Sequence, residues 1–131
     1  VDNPTTIGTR TEGKVLAALL QLNKTVLIPF GGGVRYDLAY DEDGKLIRVQ
    51  CKTATLRNGC LEFNTRSSKR DGTNHHYDGD ADLFGVYSPD LNTVYLVPVS
   101  CMGRGKGYLR VDDPKGAGNH PIRWAKDYKV T

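Results

Sequence analysis

Between Ile7 and about Asn23 the apolar residues Val15, Leu16, Leu19, Leu20 and Leu22 fall on one stripe, as in a helix that buries one side. Thr5-Thr6 stands before it as a cap, and Glu12 occupies an early turn. Val26 to Ile28 reads as a short strand stopped by Pro29, followed by a turn at Gly31-Gly32-Gly33. The period then changes. Residues 35–52, RYDLAYDEDGKLIRVQCK, alternate along two arms around Asp43-Gly44, a strong hairpin signal. A further strand is expected from Leu61 to Thr65, and a second hairpin from Leu83–Tyr87 and Thr93–Val99 around Ser88-Pro89-Asp90. Between them RSSKRDGTNHHYDGD, residues 66–80, is too polar for a core and reads as a long loop. The remainder is Gly-rich and basic, with a short helix near Trp124, which reads as a packing anchor. This order predicts an α/β or α+β domain, a mixed sheet with the first helix packed on one side.

The first hairpin sets its own register. A two-residue turn pairs Glu42 with Lys45, Tyr40 with Ile47, Leu38 with Val49 and Tyr36 with Cys51, the last three forming an apolar face. The opposite face pairs Ala39 with Arg48, Asp37 with Gln50, and Arg35 with Lys52. Opposed Cβ atoms lie about 4.5–5.5 Å apart, so Asp37, Gln50 and Lys52 are expected to converge. Carboxylate and amide oxygens both suit a hard cation such as Mg²⁺, which keeps waters for substrate oxygens. A lysine beside them can steady a phosphate or an attacking water. Glu12, on the helix that packs against this sheet, is the candidate third acid. The same pattern also suits a plain solvent-facing strand pair, with Asp37–Lys52 a surface ion pair worth about 0–1 kcal/mol. The hairpin alone leaves both readings open.

Composition narrows the classes. A chain of 131 residues, 38% hydrophobic and 25% charged, is expected to form one domain, 1–131, with a real core. No apolar run has the length of a membrane span, and no basic-then-apolar signal opens the sequence. Three sparse cysteines without CxxC spacing argue for a reducing, cytoplasmic setting and against a disulfide framework or a structural zinc site. The net charge of +3 permits a polyanionic partner. Basic residues gather at Arg66, Lys69 and Arg70 and again at Arg104, Lys106 and Arg110. NHHYDGDAD carries His75, His76, Asp78, Asp80 and Asp82. Adjacent histidines point apart on an extended chain, so this stretch reads as a polar loop rather than a transition-metal site.

Glu12 on the first helix, Asp37 on a strand and Gln50-Cys51-Lys52 on the next together resemble the PD-(D/E)XK nuclease superfamily. The usual proline before the aspartate is Tyr36 here, and the usual second acid is Gln50. Both departures resemble the group I intron-associated homing endonucleases of the cyanobacterial tRNA-intron type. The likeness continues through QCKTATLRNGCLEFNTRSS and YDGDADLFGVYSPDLNTVYLVPV. It implies a restriction-endonuclease-like αβββαβ core and Mg²⁺-dependent cleavage of double-stranded DNA, with Mn²⁺ as a substitute. Carried over by position, Glu12, Asp37 and Gln50 would hold or orient metal, helped by the carbonyl of Cys51. Lys52 would position the nucleophilic water or stabilise the transition state. Arg35, Arg66, Ser67, Lys69 and Arg70 are the expected DNA contacts. Tyr77, Gly79, Asp82 and Phe84 belong to the same pattern and are expected to fix the loop before the second hairpin. The resemblance also implies a homo-oligomer, a dimer or tetramer. Two other functions stay open: a structure-specific resolvase of Holliday-junction type, and a nucleic-acid-binding module without catalysis, which Gln50 in place of an acid keeps in view.

Overall fold

The structure is a computed structural model that describes residues 3–68, 74–77, 79–113 and 122–130. Helix α1 spans Pro4–Gln21. Its cap is Asn3 rather than Thr5-Thr6. The Thr6 amide donates to the Asn3 side-chain oxygen at 2.9 Å, and Pro4 fills a first-turn position where no amide is needed. Val15, Ala18 and Leu19 are buried, whereas Leu20 and Leu22 are exposed, so the apolar stripe is narrower than the sequence implies.

The strands are β1 (Thr25–Leu27), β2 (Leu38–Glu42), β3 (Lys45–Thr53), β4 (Thr55–Arg57), β5 (Cys60–Asn64), β6 (Arg66–Ser68), β7 (Asn74–His76), β8 (Leu83–Ser88), β9 (Thr93–Pro98), β10 (Lys106–Arg110) and β11 (Lys129–Val130). Six of them form one sheet in the order β1-β2-β3-β8-β9-β11, with β3 and β8 parallel and the other neighbours antiparallel. A second sheet runs β10-β5-β4, and β6 pairs with β7. One helix on a mixed sheet is the expected class. The crossover from β3 to β8, where the αβββαβ pattern places a second helix, carries β4 to β7 instead. Among the described residues α1 is the only α-helix. The segment expected to be a long loop thus contains a short hairpin, because strand pairing satisfies backbone groups without needing an apolar face. Short strands β10 and β11 lie in the Gly-rich tail, where no alternation announces them.

The large sheet is buried on both faces. On one, Val15, Ala18 and Leu19 of α1 pack on Leu38, Tyr40, Val49, Cys51 and Tyr87. On the other, Phe84, Val86, Tyr95 and Val97 pack with Leu61, Phe63 and Leu109 of the second sheet. Burial on both sides is why β8 and β9 read as nearly continuous apolar runs. Two contacts seat the helix. At Gly85 the approach is so close that a Cβ would lie 2.7 Å from Val15 Cγ1 and 2.9 Å from Val49 Cγ1. The hydroxyls of Thr11 and Thr53 hydrogen-bond at 2.5 Å, with Thr11 buried, which fixes how α1 slides and rotates on β3.

Arg48 ties β3 to the segment before β8. Its amide and Nε donate to Asp82 Oδ2 at 2.8 and 3.1 Å, its Nη2 to Oδ1 at 3.2 Å, and its Nη1 to the Gly79 carbonyl at 2.8 Å. The guanidinium holds the Asp82 carboxyl below the usual carboxylate range.

Two variants test this frame. Gly85→Ala forces Val15 and Val49 apart and is expected to cost about 1–3 kcal/mol in urea unfolding. Asp82 is depressed in the folded state, so its contribution is present above the unfolded value and disappears as pH falls through the folded one. Asp82→Asn is therefore expected to destabilise by about 1 kcal/mol at pH 7. The gap to the parent should shrink once pH drops below the ordinary aspartate value of 3.8. An equal gap at pH 3 and pH 7 would contradict the ion pair as its source.

Candidate active site

The first hairpin keeps its expected register through five pairs, Leu38–Val49, Ala39–Arg48, Tyr40–Ile47, Asp41–Leu46 and Glu42–Lys45. It stops there, and the three pairs expected beyond it do not form. The Asp37 amide donates to the Val49 carbonyl at 2.9 Å, and Asp37 Oδ2 accepts from the Cys51 amide at 2.9 Å. A carboxylate thus stands where the next main-chain acceptor of a regular ladder would be. Tyr36, expected beside Leu38 and Tyr40, packs instead into the core on the far side, with Phe84. Asp37 and Leu38 thus both stand opposite Val49, and a two-against-one step of this kind breaks the alternation upstream of it.

Glu12, one residue after the seated Thr11, reaches Asp37. Its carboxyl is pushed up to about 7, first by burial, then by the hydrogen bond to Asp37 and by that group's negative charge. Burial first, then the charges of Asp37 and Glu12, push the Cys51 thiol far above its ordinary value, so it packs as a neutral group. Two carboxyl groups in contact favour a shared proton or a cation between them.

Gln50 and Lys52 alternate with Val49 and Cys51 along β3, and so face away from α1. The site wraps around the sheet: Glu12 on the helix side, Asp37 at the open hairpin end, Gln50 and Lys52 beyond. No ion pair joins Lys52 to Asp37 among the described residues. The Lys52 ammonium donates to the Tyr77 hydroxyl at 3.2 Å and to the Arg66 carbonyl at 3.3 Å, and lies 4.6 Å from the centroid of the Tyr77 ring. The guanidinium of Arg35 lies 4.1 Å from the same centroid, and its Nη1 pairs with Asp80 Oδ2 at 2.6 Å. Tyr77 is buried edge-on against Phe84, with centroids 5.7 Å apart. Two cations therefore share one ring.

Of the residues picked from the sequence, the structure brings Glu12 and Asp37 into contact and sets Gln50, Cys51 and Lys52 on the adjoining strand. Arg35 turns inward to Tyr77 and Asp80. Arg66 contributes its carbonyl to Lys52. Nothing is described of the Ser67 side chain, and Lys69 and Arg70 lie outside the described residues, as does Asp78. Tyr77 as the holder of Lys52 was not foreseen. The available signal was an aromatic residue inside a polar stretch, five residues before Asp82. Among the described residues no three His, Cys, Asp or Glu side chains cluster as a metal site. The carboxylates of Glu12 and Asp37 are brought together at the Cys51 amide, whereas Gln50 lies on the face of β3 away from α1.

A helix-borne acid, an aspartate at an open hairpin end and a Gln-Cys-Lys strand on a mixed sheet define a restriction-endonuclease-like architecture. The chain matches the PD-(D/E)XK endonuclease family over residues 2–131 and belongs to it. Its fold is similar to that of a bacterial homing endonuclease, I-Ssp6803I, with a TM-score of 0.71, 21% identity, and coverage of 99% of this chain and 88% of that one. A weaker likeness to MepB, with a TM-score of 0.37, 14% identity and coverage of 83% and 85%, carries no argument. No curated protein matches the chain. Among the described residues, no helix is long and apolar enough to cross a membrane.

The acid pair has a direct test. Glu12→Gln removes one of two like charges and supplies an amide donor to Asp37. In EDTA at pH 8 the thermal midpoint is expected to rise by about 2–4 °C, and the further rise on adding Mg²⁺ should largely vanish. A lower midpoint in EDTA would show that the two acids are not opposed.

Proposed function

We propose that this chain is a Mg²⁺-dependent endodeoxyribonuclease that hydrolyses phosphodiester bonds in duplex DNA. The observation that carries the reading is the contact of Glu12 with Asp37 beside the strand that bears Gln50 and Lys52. The donor set fits a hard divalent cation: two apposed carboxylates, with the Gln50 amide and the Cys51 carbonyl as neutral oxygens. Mg²⁺ bound there would supply charge neutralisation at the phosphoryl oxygens and a more acidic water, and Mn²⁺ suits the same donors.

The chain's own groups do the rest. The Cys51 amide orients Asp37, and α1 delivers Glu12 to it. Tyr77 and the Arg66 carbonyl hold the Lys52 ammonium as a fixed cation for the scissile phosphate or the attacking water. Gln50 lowers the negative charge of the site by one relative to the usual acid, so DNA phosphate has a larger share in completing it. Arg66 and Ser67, with Lys69 and Arg70 next in the sequence, are the proposed phosphate contacts. Cutting both strands calls for two such sites, hence a homo-oligomer. The three cysteines, all free, suit a reducing compartment.

The experiment is plasmid cleavage with Mg²⁺ beside a gel shift in Ca²⁺. The parent is expected to nick and linearise. Lys52→Ala and Asp37→Ala should each lose cleavage by about 100-fold or more, with binding changed less than about threefold, since phosphate affinity is spread over many basic groups. Full activity in either variant overturns the assignment. Gln50 leaves room for a second reading, a binding module without catalysis, and binding without Mg²⁺-dependent nicking would select it. A four-way junction run beside linear duplex separates a resolvase from a duplex cutter.

A further inference from the structure

The connection between β1 and Asp37 is apolar and exposed. Leu27, Ile28 and Val34 are 42%, 66% and 49% exposed, and the Phe30 side chain stands wholly in solvent. From Val26 to Val34 the sequence VLIPFGGGV contains no charged or hydrogen-bonding side chain. Its three glycines take left-handed φ, yet a Cβ on any of them would meet nothing within 4 Å. Their lack of side chains serves the backbone path and leaves the main chain bare to an outside surface.

A second copy of the chain is a poor occupant. A stable interface needs about 800 Å² from each partner, and one fully and three partly exposed side chains offer only about half of that. Strand β1 is also a short edge, three residues long and closed by Pro29, which has no amide to donate. DNA is the better fit on position. Phe30 precedes Asp37 by seven residues, a reach of at most about 25 Å, less than the roughly 34 Å of one duplex turn. The loop therefore lies within one duplex turn of a scissile phosphate held at Asp37. The loop carries no acid to repel phosphate.

We infer that residues 28–34 form a DNA-distorting wedge. Phe30 inserts between base steps within one turn of the scissile phosphate, while the glycine backbone lies against the sugar–phosphate chain. The placement of the duplex rests on the nuclease reading above. Apolar wedges unstack and kink duplexes, and a tip with no hydrogen-bonding side chains selects deformable steps such as TA and CA rather than reading base edges.

The test is topoisomerase relaxation of a closed plasmid with protein bound in Ca²⁺. The parent is expected to shift the linking number in proportion to protein bound. Phe30→Ala should reduce that shift at least about fivefold and weaken binding about tenfold, with Phe30→Trp restoring both. Because the side chain is wholly exposed, all three proteins should share one thermal midpoint. An undiminished shift in Phe30→Ala overturns the wedge, as does sedimentation showing that Phe30→Ala splits an oligomer. Mg²⁺-dependent nicking of the same plasmid keeps the two readings apart. A Phe30-dependent shift without nicking sinks the nuclease and keeps the wedge. Nicking without a shift does the reverse, and a parent that binds no plasmid sinks both.

Discussion

The site depends on how closely α1 lies on the large sheet. Glu12 is useful only if its turn of helix sits beside the open end of the first hairpin, and two short contacts place it there. Gly85 removes a side chain from β8 at the point where Val15 and Val49 already touch the space. The Thr11–Thr53 hydrogen bond then fixes the helix lengthwise, one residue from Glu12 and one from Lys52. Packing alone would let an apolar stripe slide; a directional bond between two hydroxyls does not. Core packing and site geometry are thus one constraint. The threonine that is buried and the glutamate that reaches Asp37 are neighbours in the chain.

Much of this was legible in the sequence, and the failures have physical causes. The hairpin register followed from Asp43-Gly44 and the burial of Leu38 and Val49, and five pairs keep it. The same reasoning failed from Asp37 backwards, because period-two logic assumes a regular ladder and Asp37 and Leu38 both stand opposite Val49. That failure falls on the candidate metal ligand itself, as expected where local rules yield to a site. The αβββαβ core that the resemblance implies has a second helix, and α1 is the only α-helix among the described residues. The pairing of Arg66–Ser68 with Asn74–His76 could not be read because neither strand has an apolar face to alternate with. The helix was placed well, but its cap was misread. Asn3 and Pro4 together make a stronger start than two threonines, which lie within the first turn.

Asp37 shows what an interrupted ladder can do. Had pairing continued, the Cys51 amide would have met a backbone carbonyl and the aspartate would have pointed to the face away from α1, out of reach of Glu12. Ending the ladder at Leu38–Val49 frees that amide to bind a carboxylate. The carboxylate then lies at the sheet edge, where groups from both faces can meet it. Neighbouring positions of one strand serve both layers: Cys51 packs toward the helix, while Gln50 and Lys52 face the other side.

Charge accounting then argues for an external cation. The segments around the site carry Arg35, Lys52 and Arg48, and each has a definite partner. Arg48 holds Asp82, Arg35 holds Asp80 and stacks on Tyr77, and Lys52 donates to Tyr77 and the Arg66 carbonyl. None of these contacts is with Glu12 or Asp37. The two acids oppose each other's charge: the Cys51 amide donates to Asp37, and burial and the neighbouring Asp37 push the Glu12 carboxyl up to about 7. A chain that needed the pair only for stability would gain by moving one of these cations a few ångströms or by replacing Glu12 with glutamine. The Lys52 ammonium is instead held on the other face of β3, by Tyr77 and the Arg66 carbonyl. Two carboxylates in contact are costly without a counter-charge, and a strand pair that served stability alone would gain nothing from them.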